Sequence, residues 1–130
     1  MTSMYISLRA SKMSVKLTLK EDVVFPRARR LHLGPGMVVE HFLDFLVKFP
    51  NLEELKIENS VVRSDQEEQG LLYLRDRRIS VHVVIDTAKL VYDPELLHQQ
   101  WRREVASRAK RLVQGVQKYG QNLSWISEIK

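Results

Sequence analysis

Apolar and polar residues alternate with two different periods along the chain, and the change of period separates predicted strands from predicted helices. Residues 13–19, MSVKLTL, alternate one to one, which is typical of a half-buried β-strand. Residues 37–49, MVVEHFLDFLVKF, instead have helical spacing, and the turn GPG precedes them. Residues 64–78 predict a second helix, with acids in its first turn and leucines on its buried side.

The predicted strands recur every 24 residues. Their apolar positions form two equally spaced series, which are Leu31, Leu55, Ile79 and Leu33, Ile57, Val81. The order is therefore strand, helix, strand, helix, strand, and short strands joined by single helices usually run parallel.

The segment LEELKIENSVV, residues 52–62, follows the leucine-rich repeat template L-x-x-L-x-L-x-x-N-x-L. Ser60 stands where the repeat usually has Asn or Cys. Residues 28–38 follow the same template, and residues 76–86 follow it in part, because Asp76 and Asp86 replace its outer leucines. Over about residues 26–86 the chain thus resembles the leucine-rich repeat superfamily in its helix-containing, ribonuclease-inhibitor-like form. The alternative is a generic βαβαβ unit whose strands share a register by chance.

The resemblance implies a stack of parallel strands whose open sheet face binds a partner protein. FPNLEELKI is also similar to the repeat region of F-box-associated proteins, but no F-box-like segment is visible, so their substrate-recruitment role does not carry over. In this register the outward positions form a predicted recognition surface, consisting of Arg30, His32, Glu54, Lys56, Glu58, Arg78, Ser80 and His82. The row Arg30, Glu54 and Arg78 alternates in charge, which also fits plain solvent exposure with cross-strand pairing.

Two and a half units are fewer than the three or so that a repeat stack usually needs, so the ends are expected to close it. The sequence predicts an α/β fold of residues 1–92, with an N-terminal strand or a hairpin of MYISL and SVKLTL as one cap. Residues 93–130 are predicted to form a C-terminal helical segment that begins at Asp93-Pro94 and weakens near Gly120.

That helix carries an apolar stripe at intervals of three and four residues, ending at Ile126. Its length exceeds the width of the stack, which predicts that its end contacts a partner or forms a homodimer. The residues expected to do so are Trp101, Leu112, Val116, Tyr119 and Leu123.

The net charge of +5 is uneven, since basic ends flank an acidic middle. A nucleic-acid partner is therefore the alternative to a protein partner, with contacts from Arg103, Lys110, Arg111 and Lys118 and stacking on exposed aromatic side chains. The competing interpretation of those four residues is the solvated side of an amphipathic helix.

The 130 residues contain no cysteine, no catalytic motif and no apolar run long enough to cross a membrane. We therefore expect no cofactor, no metal site and no small-molecule substrate, although a hydrolase or transferase site without a recognisable motif stays open.

The absence of cysteine favours an intracellular location, cytoplasmic or nuclear. The basic, hydroxyl-rich residues 1–20 also fit a mitochondrial transit peptide. Together these features predict a non-enzymatic protein–protein interaction module, a small subunit or adaptor of a larger complex.

Overall fold

A computed structural model describes residues 4–8, 15–17, 23–34, 37–39, 41–62, 66–86, 99–121 and 123–129. These residues form eight strands and three helices. In chain order they are β1 (Met4–Leu8), β2 (Val15–Leu17), β3 (Ala28–Leu33), β4 (Met37–Val39), α1 (Phe42–Leu46), β5 (Glu54–Glu58), β6 (Val61–Val62), α2 (Glu67–Asp76), β7 (Ser80–Ile85), α3 (Gln99–Tyr119) and β8 (Ile126–Ile129).

The strands form two sheets, and every strand pair in both is parallel. The large sheet has the order β1-β3-β5-β7-β8, and the small sheet has the order β2-β4-β6. Because the spatial order follows the chain order, each unit lies beside the one before it. The predicted α/β class with parallel strands is confirmed.

The core lies on one side of the large sheet. Leu31 and Leu33 in β3 are buried while His32 between them is partly exposed, and in β5 Leu55 and Ile57 are buried while Lys56 between them is exposed. All three helices contribute buried residues to the same cluster as these strands. The helices therefore cover one face of the sheet and leave the other face to the polar residues.

The 24-residue spacing holds between β3 and β5, where Leu31 pairs with Leu55. It fails at the next step, because Leu55 pairs with Val81 rather than Ile79. The reason is the end of α2. Arg78 adopts a left-handed φ of 56° while its N–H bonds the Arg75 carbonyl, and the Ile79 N–H bonds back to the Leu74 carbonyl. This Schellman-type end delays the third strand by two residues.

Three other expectations were wrong. Residues 37–49 are not one helix, because Met37–Val39 forms a strand of the small sheet and the helix spans Phe42–Leu46 alone. Of the two predicted N-terminal caps, the hairpin of MYISL and SVKLTL is wrong, since β1 and β2 lie in different sheets, whereas the N-terminal strand is present as β1, which pairs with β3. Ile126 does not continue the helical stripe, because α3 ends at Tyr119 and residues 126–129 add a fifth strand.

The second half of the C-terminal helix, from Ala109 to Val116, packs against the strands. Leu112 and Val116 are 0% and 2% exposed and belong to the same core as the strands. A Cβ on Gly115 would come within 2.5 Å of Leu71 Cδ1, so glycine allows α3 to approach α2 closely. Segments 1–92 and 93–130 consequently share one hydrophobic core. The predicted helix start at Asp93-Pro94 lies outside the described residues.

Buried polar side chains connect neighbouring units. Ser60, which is fully buried, donates its hydroxyl to the Gly34 carbonyl of the preceding unit. Asn59, with a φ of 48°, accepts a 2.6 Å hydrogen bond at Oδ1 from the Asp86 N–H of the following unit. Its own N–H bonds the Val84 carbonyl at 3.0 Å. These bonds satisfy buried backbone groups at the turns that follow the strands, and so fix each unit to the next.

Candidate functional site: the open face of the sheet

The face of the large sheet opposite the helices carries a groove of about 360 Å³. Six of the eight residues predicted for this surface line it, namely Arg30, His32, Glu54, Lys56, Ser80 and His82. Tyr5 forms one end of the groove, and Ser124 and Ile126 form the other. Among the described residues, no helix packs over this face.

Strand register arranges the floor of the groove in two rows across the sheet. One row runs from Tyr5 through Arg30 and Glu54 to Ser80. The other row places His32, Lys56 and His82 side by side and continues to Ile126. Parallel strands lie about 4.8 Å apart, so each residue directly adjoins its neighbour in the row.

Both nitrogens of the His32 ring have a contact on this face. Nδ1 lies 3.2 Å from the Tyr5 hydroxyl and 3.4 Å from Ser7 Oγ, and Nε2 lies 3.0 Å from Glu58 Oε2. A neutral ring with its proton on Nε2 satisfies this arrangement, since Nδ1 then accepts from a hydroxyl and Nε2–H donates to the carboxylate. The imidazole is therefore held in one orientation by three strands. Glu58, predicted as a surface residue, positions this ring.

The second histidine has a looser environment. His82 Nε2 lies 3.9 Å from Glu128 Oε1, too far for a hydrogen bond. That nitrogen is shielded from solvent and has no hydrogen-bond partner within the described part of the chain. Lys56, exposed between the two histidines, forms no ion pair with any described residue. The centre of the floor thus holds an exposed ammonium group beside an imidazole nitrogen that has no hydrogen-bond partner among the described residues.

Arg78 lies elsewhere. It is exposed in the turn after α2, so the row predicted as Arg30, Glu54 and Arg78 is in fact Arg30, Glu54 and Ser80. An ion pair joins Arg29 in β3 to Glu53, the residue before β5, at 2.8 Å. The two side chains are 50% and 62% exposed, so the pair contributes at most about 1 kcal/mol.

The residues predicted for a helix-mediated contact divide into three groups. Leu112 and Val116 are buried in the chain's own core, so neither is accessible to a partner in this structure. Tyr119 and Leu123 are half-buried. The side chain of Trp101 lies outside the described part of the structure.

The basic residues predicted for nucleic acid lie on the helical side. Lys110, Arg111 and Lys118 are exposed on α3, while the side chain of Arg103 is outside the described part. The aromatic side chains near them are engaged within the chain. Trp125 Nε1 donates to the Ile79 carbonyl at 2.8 Å, and the Tyr119 hydroxyl donates to Glu68 at 2.6 Å. Both rings are thus held in place by hydrogen bonds within the chain.

A second cavity, of about 380 Å³, separates α2 from α3. Burial raises the pKa of the Glu67 carboxyl in its wall, although the charges of Arg111 and Arg108 act in the opposite direction. The hydrogen bond to Glu68 raises the pKa of the Tyr119 phenol. The charges of the acidic and basic side chains in this cleft thus balance one another. We interpret the cleft as a polar contact between the two helices.

The described residues include no cluster of three or more acidic or histidine side chains that could hold a metal ion. They also include no helix with the length and apolarity of a membrane span. Compared with known proteins, the chain matches no protein-family model, no curated protein and no solved structure.

Proposed function

We propose that this protein is a non-enzymatic protein–protein interaction module that recognises its partner with the open face of the large sheet. The observation that carries the proposal is the asymmetry of that sheet. Three helices cover one face, whereas the other presents charged and histidine side chains around a groove of about 360 Å³. A partner on this surface would place groups of opposite charge beside Lys56 and acceptors or donors near the unpartnered Nε2 of His82.

The fold in this proposal is a short leucine-rich-repeat-like stack. Its support is the strand order, which follows the chain order in both sheets, and the recurrence of lateral bonds between units. Besides the bonds of Asn59 and Ser60, Asn51 Nδ2 donates to the Pro26 carbonyl at 2.7 Å, again to the preceding unit. In repeat stacks each unit contacts mainly its neighbours, and the sheet provides an extended binding surface.

The test is affinity purification of the tagged chain from its native cells, with and without nuclease. The key variant is the double reversal Glu54→Lys/Lys56→Glu, which changes the charge pattern of the groove while keeping the net charge. The control is Lys110→Glu, on the helical side of the molecule. We expect a partner protein that resists nuclease, that the control retains and that the double reversal loses. Retention by the double reversal, with its fold intact by circular dichroism, would refute the proposed surface.

Nucleic-acid binding through α3 is the competing function, and the same experiment separates the two. Phosphate contacts release counterions, so such binding weakens steeply with added salt. Recovery that nuclease abolishes and that Lys110→Glu reduces would assign the partner to nucleic acid and the site to the helix. Engagement of Trp125 and Tyr119 within the chain argues against base stacking there.

A further inference from the structure

We propose that the groove binds an extended acidic segment of the partner protein, with a carboxylate on Lys56 and apolar side chains at Tyr5 and Ile126. This inference rests on the proposed function and specifies its ligand. Two observations support it. The acids of the open face already have basic neighbours whereas Lys56 has no ion pair among the described residues, and exposed apolar side chains lie at the two ends of the groove.

Each acid on this face lies beside a base or an imidazole. Glu58 is 3.0 Å from His32 Nε2, Glu128 is 3.9 Å from His82 Nε2, and Glu54 lies opposite Arg30 in the strand register. Lys56 is left in the middle of the floor, exposed and without an ion pair among the described residues. Glu54 and Glu58 flank Lys56 on β5, but no ion pair joins either of them to it. The side chain that complements its ammonium group is a carboxylate, so the ligand is expected to place Asp or Glu here.

The His82 ring points to the same ligand. Its Nε2 is shielded from solvent and lacks a hydrogen-bond partner within the described part of the chain. It adjoins Lys56 in the row across the sheet. The ring would have to turn toward Lys56 to expose this nitrogen, and its N–H could then donate to a carboxylate bound there.

The ends of the groove are apolar and open. Tyr5 is 57% exposed at one end and Ile126 is 50% exposed at the other. Four strand spacings separate β1 from β8, roughly 19 Å at 4.8 Å each. An extended chain advances about 3.3 Å per residue, so roughly six residues cross the face. With Lys56 on the central strand, about 10 Å from either edge strand, the expected pattern is an acid with an apolar residue about three positions before it and another about three positions after it.

A random heptapeptide library displayed on phage, selected on the immobilised protein, tests this composition without assuming a sequence. For the wild-type chain and for Lys110→Glu we expect enrichment of Asp and Glu between apolar residues. For Lys56→Glu we expect the preference to invert toward Lys and Arg. A selected peptide resynthesised with Gln for its acid should bind about two- to fivefold more weakly in an NMR titration, the effect of one partly exposed ion pair.

Selection without acid enrichment, or the same enrichment for Lys56→Glu, would overturn the inference. If at the same time the double reversal still loses its cellular partner, the open face stays the binding surface and only the acidic ligand is rejected. Binding of a fluorescent single-stranded oligonucleotide that Lys56→Glu abolishes would also reject the acidic segment, and would assign the groove to nucleic acid. Circular dichroism and unfolding of each variant establish that the fold is retained.

Discussion

Asn59 offers the sharpest test of how the units are joined. Its φ of 48° lies in the left-handed region, its exposure is 3%, and its Oδ1 accepts the 2.6 Å bond from the Asp86 N–H of the next unit. Asparagine suits both demands, because its short side chain tolerates this backbone and supplies the acceptor. Replacement by alanine removes both properties, whereas replacement by glycine removes only the acceptor.

The two contributions can be separated by magnitude. Loss of the acceptor for a largely buried N–H costs about 1–3 kcal/mol. A Cβ in the left-handed region costs roughly 1–2 kcal/mol, whereas glycine loses about 0.5–1 kcal/mol of chain entropy. We therefore expect Asn59→Gly to destabilise the fold by about 1.5–4 kcal/mol, and Asn59→Ala by roughly 0.5–1 kcal/mol more.

The assay is equilibrium unfolding in urea, compared at equal m-values. The matched control is the same pair of substitutions at Lys56, an exposed strand position with ordinary backbone. There the order should reverse, with glycine about 0.5–1 kcal/mol less stable than alanine. If alanine is the better replacement at Asn59 as well, the left-handed strain is not real. If both Asn59 variants lie within about 0.5 kcal/mol of the wild type, the bond to Asp86 does not contribute to stability.

Four further predictions use the same unfolding assay. Arg78→Gly should stabilise the fold by up to about 1 kcal/mol, because glycine relieves the left-handed turn after α2; a loss of stability would contradict this. Leu55→Ala should cost about 2–5 kcal/mol and Lys56→Ala little, and equal losses would contradict the observed strand register. Glu67→Gln should be more stable than the wild type at neutral pH, with the difference fading in acid. Burial raises the carboxyl pKa in the folded state, so stability is lost as pH rises from the ordinary carboxyl pKa through the raised value; a pH-independent difference would refute it. Truncation after Arg111 should unfold the chain, since the removed residues include Leu112 at the centre of the core; a folded, cooperative truncation product would contradict that.

Hydrophobic spacing was sufficient for the first two units of the stack. Leu31 pairs with Leu55, and Leu33 pairs with Ile57. Both pairs are 24 residues apart, and this spacing is visible in the sequence. The third unit is two residues longer because Arg78 occupies the left-handed position after α2. Glycine is the usual residue there, so an arginine carries no sequence signal for that turn.

Short apolar runs were harder to assign. Residues 37–39 read as the first turn of a helix because such a run fits either structure, and only pairing with β2 and β6 makes it a strand. Ile126 continued the spacing of the helical stripe although the helix ends beside Gly120. The sequence did not predict Tyr5 and Ile126 as the ends of the groove, because their positions depend on edge strands that lie far apart in the chain.

The order of the large sheet has a kinetic consequence. Leu31, Leu55 and Val81 each pair with a strand 24 or 26 residues away, but His82 pairs with Ile126, 44 residues further on. Loop-closure entropy grows with the logarithm of loop length, and this longer closure costs about 0.5 kcal/mol more than the others. We expect β8 to dock last and its amides to exchange with solvent first. Because Ile126 forms one end of the groove, the groove would open whenever β8 detaches, while the other four strands stay paired.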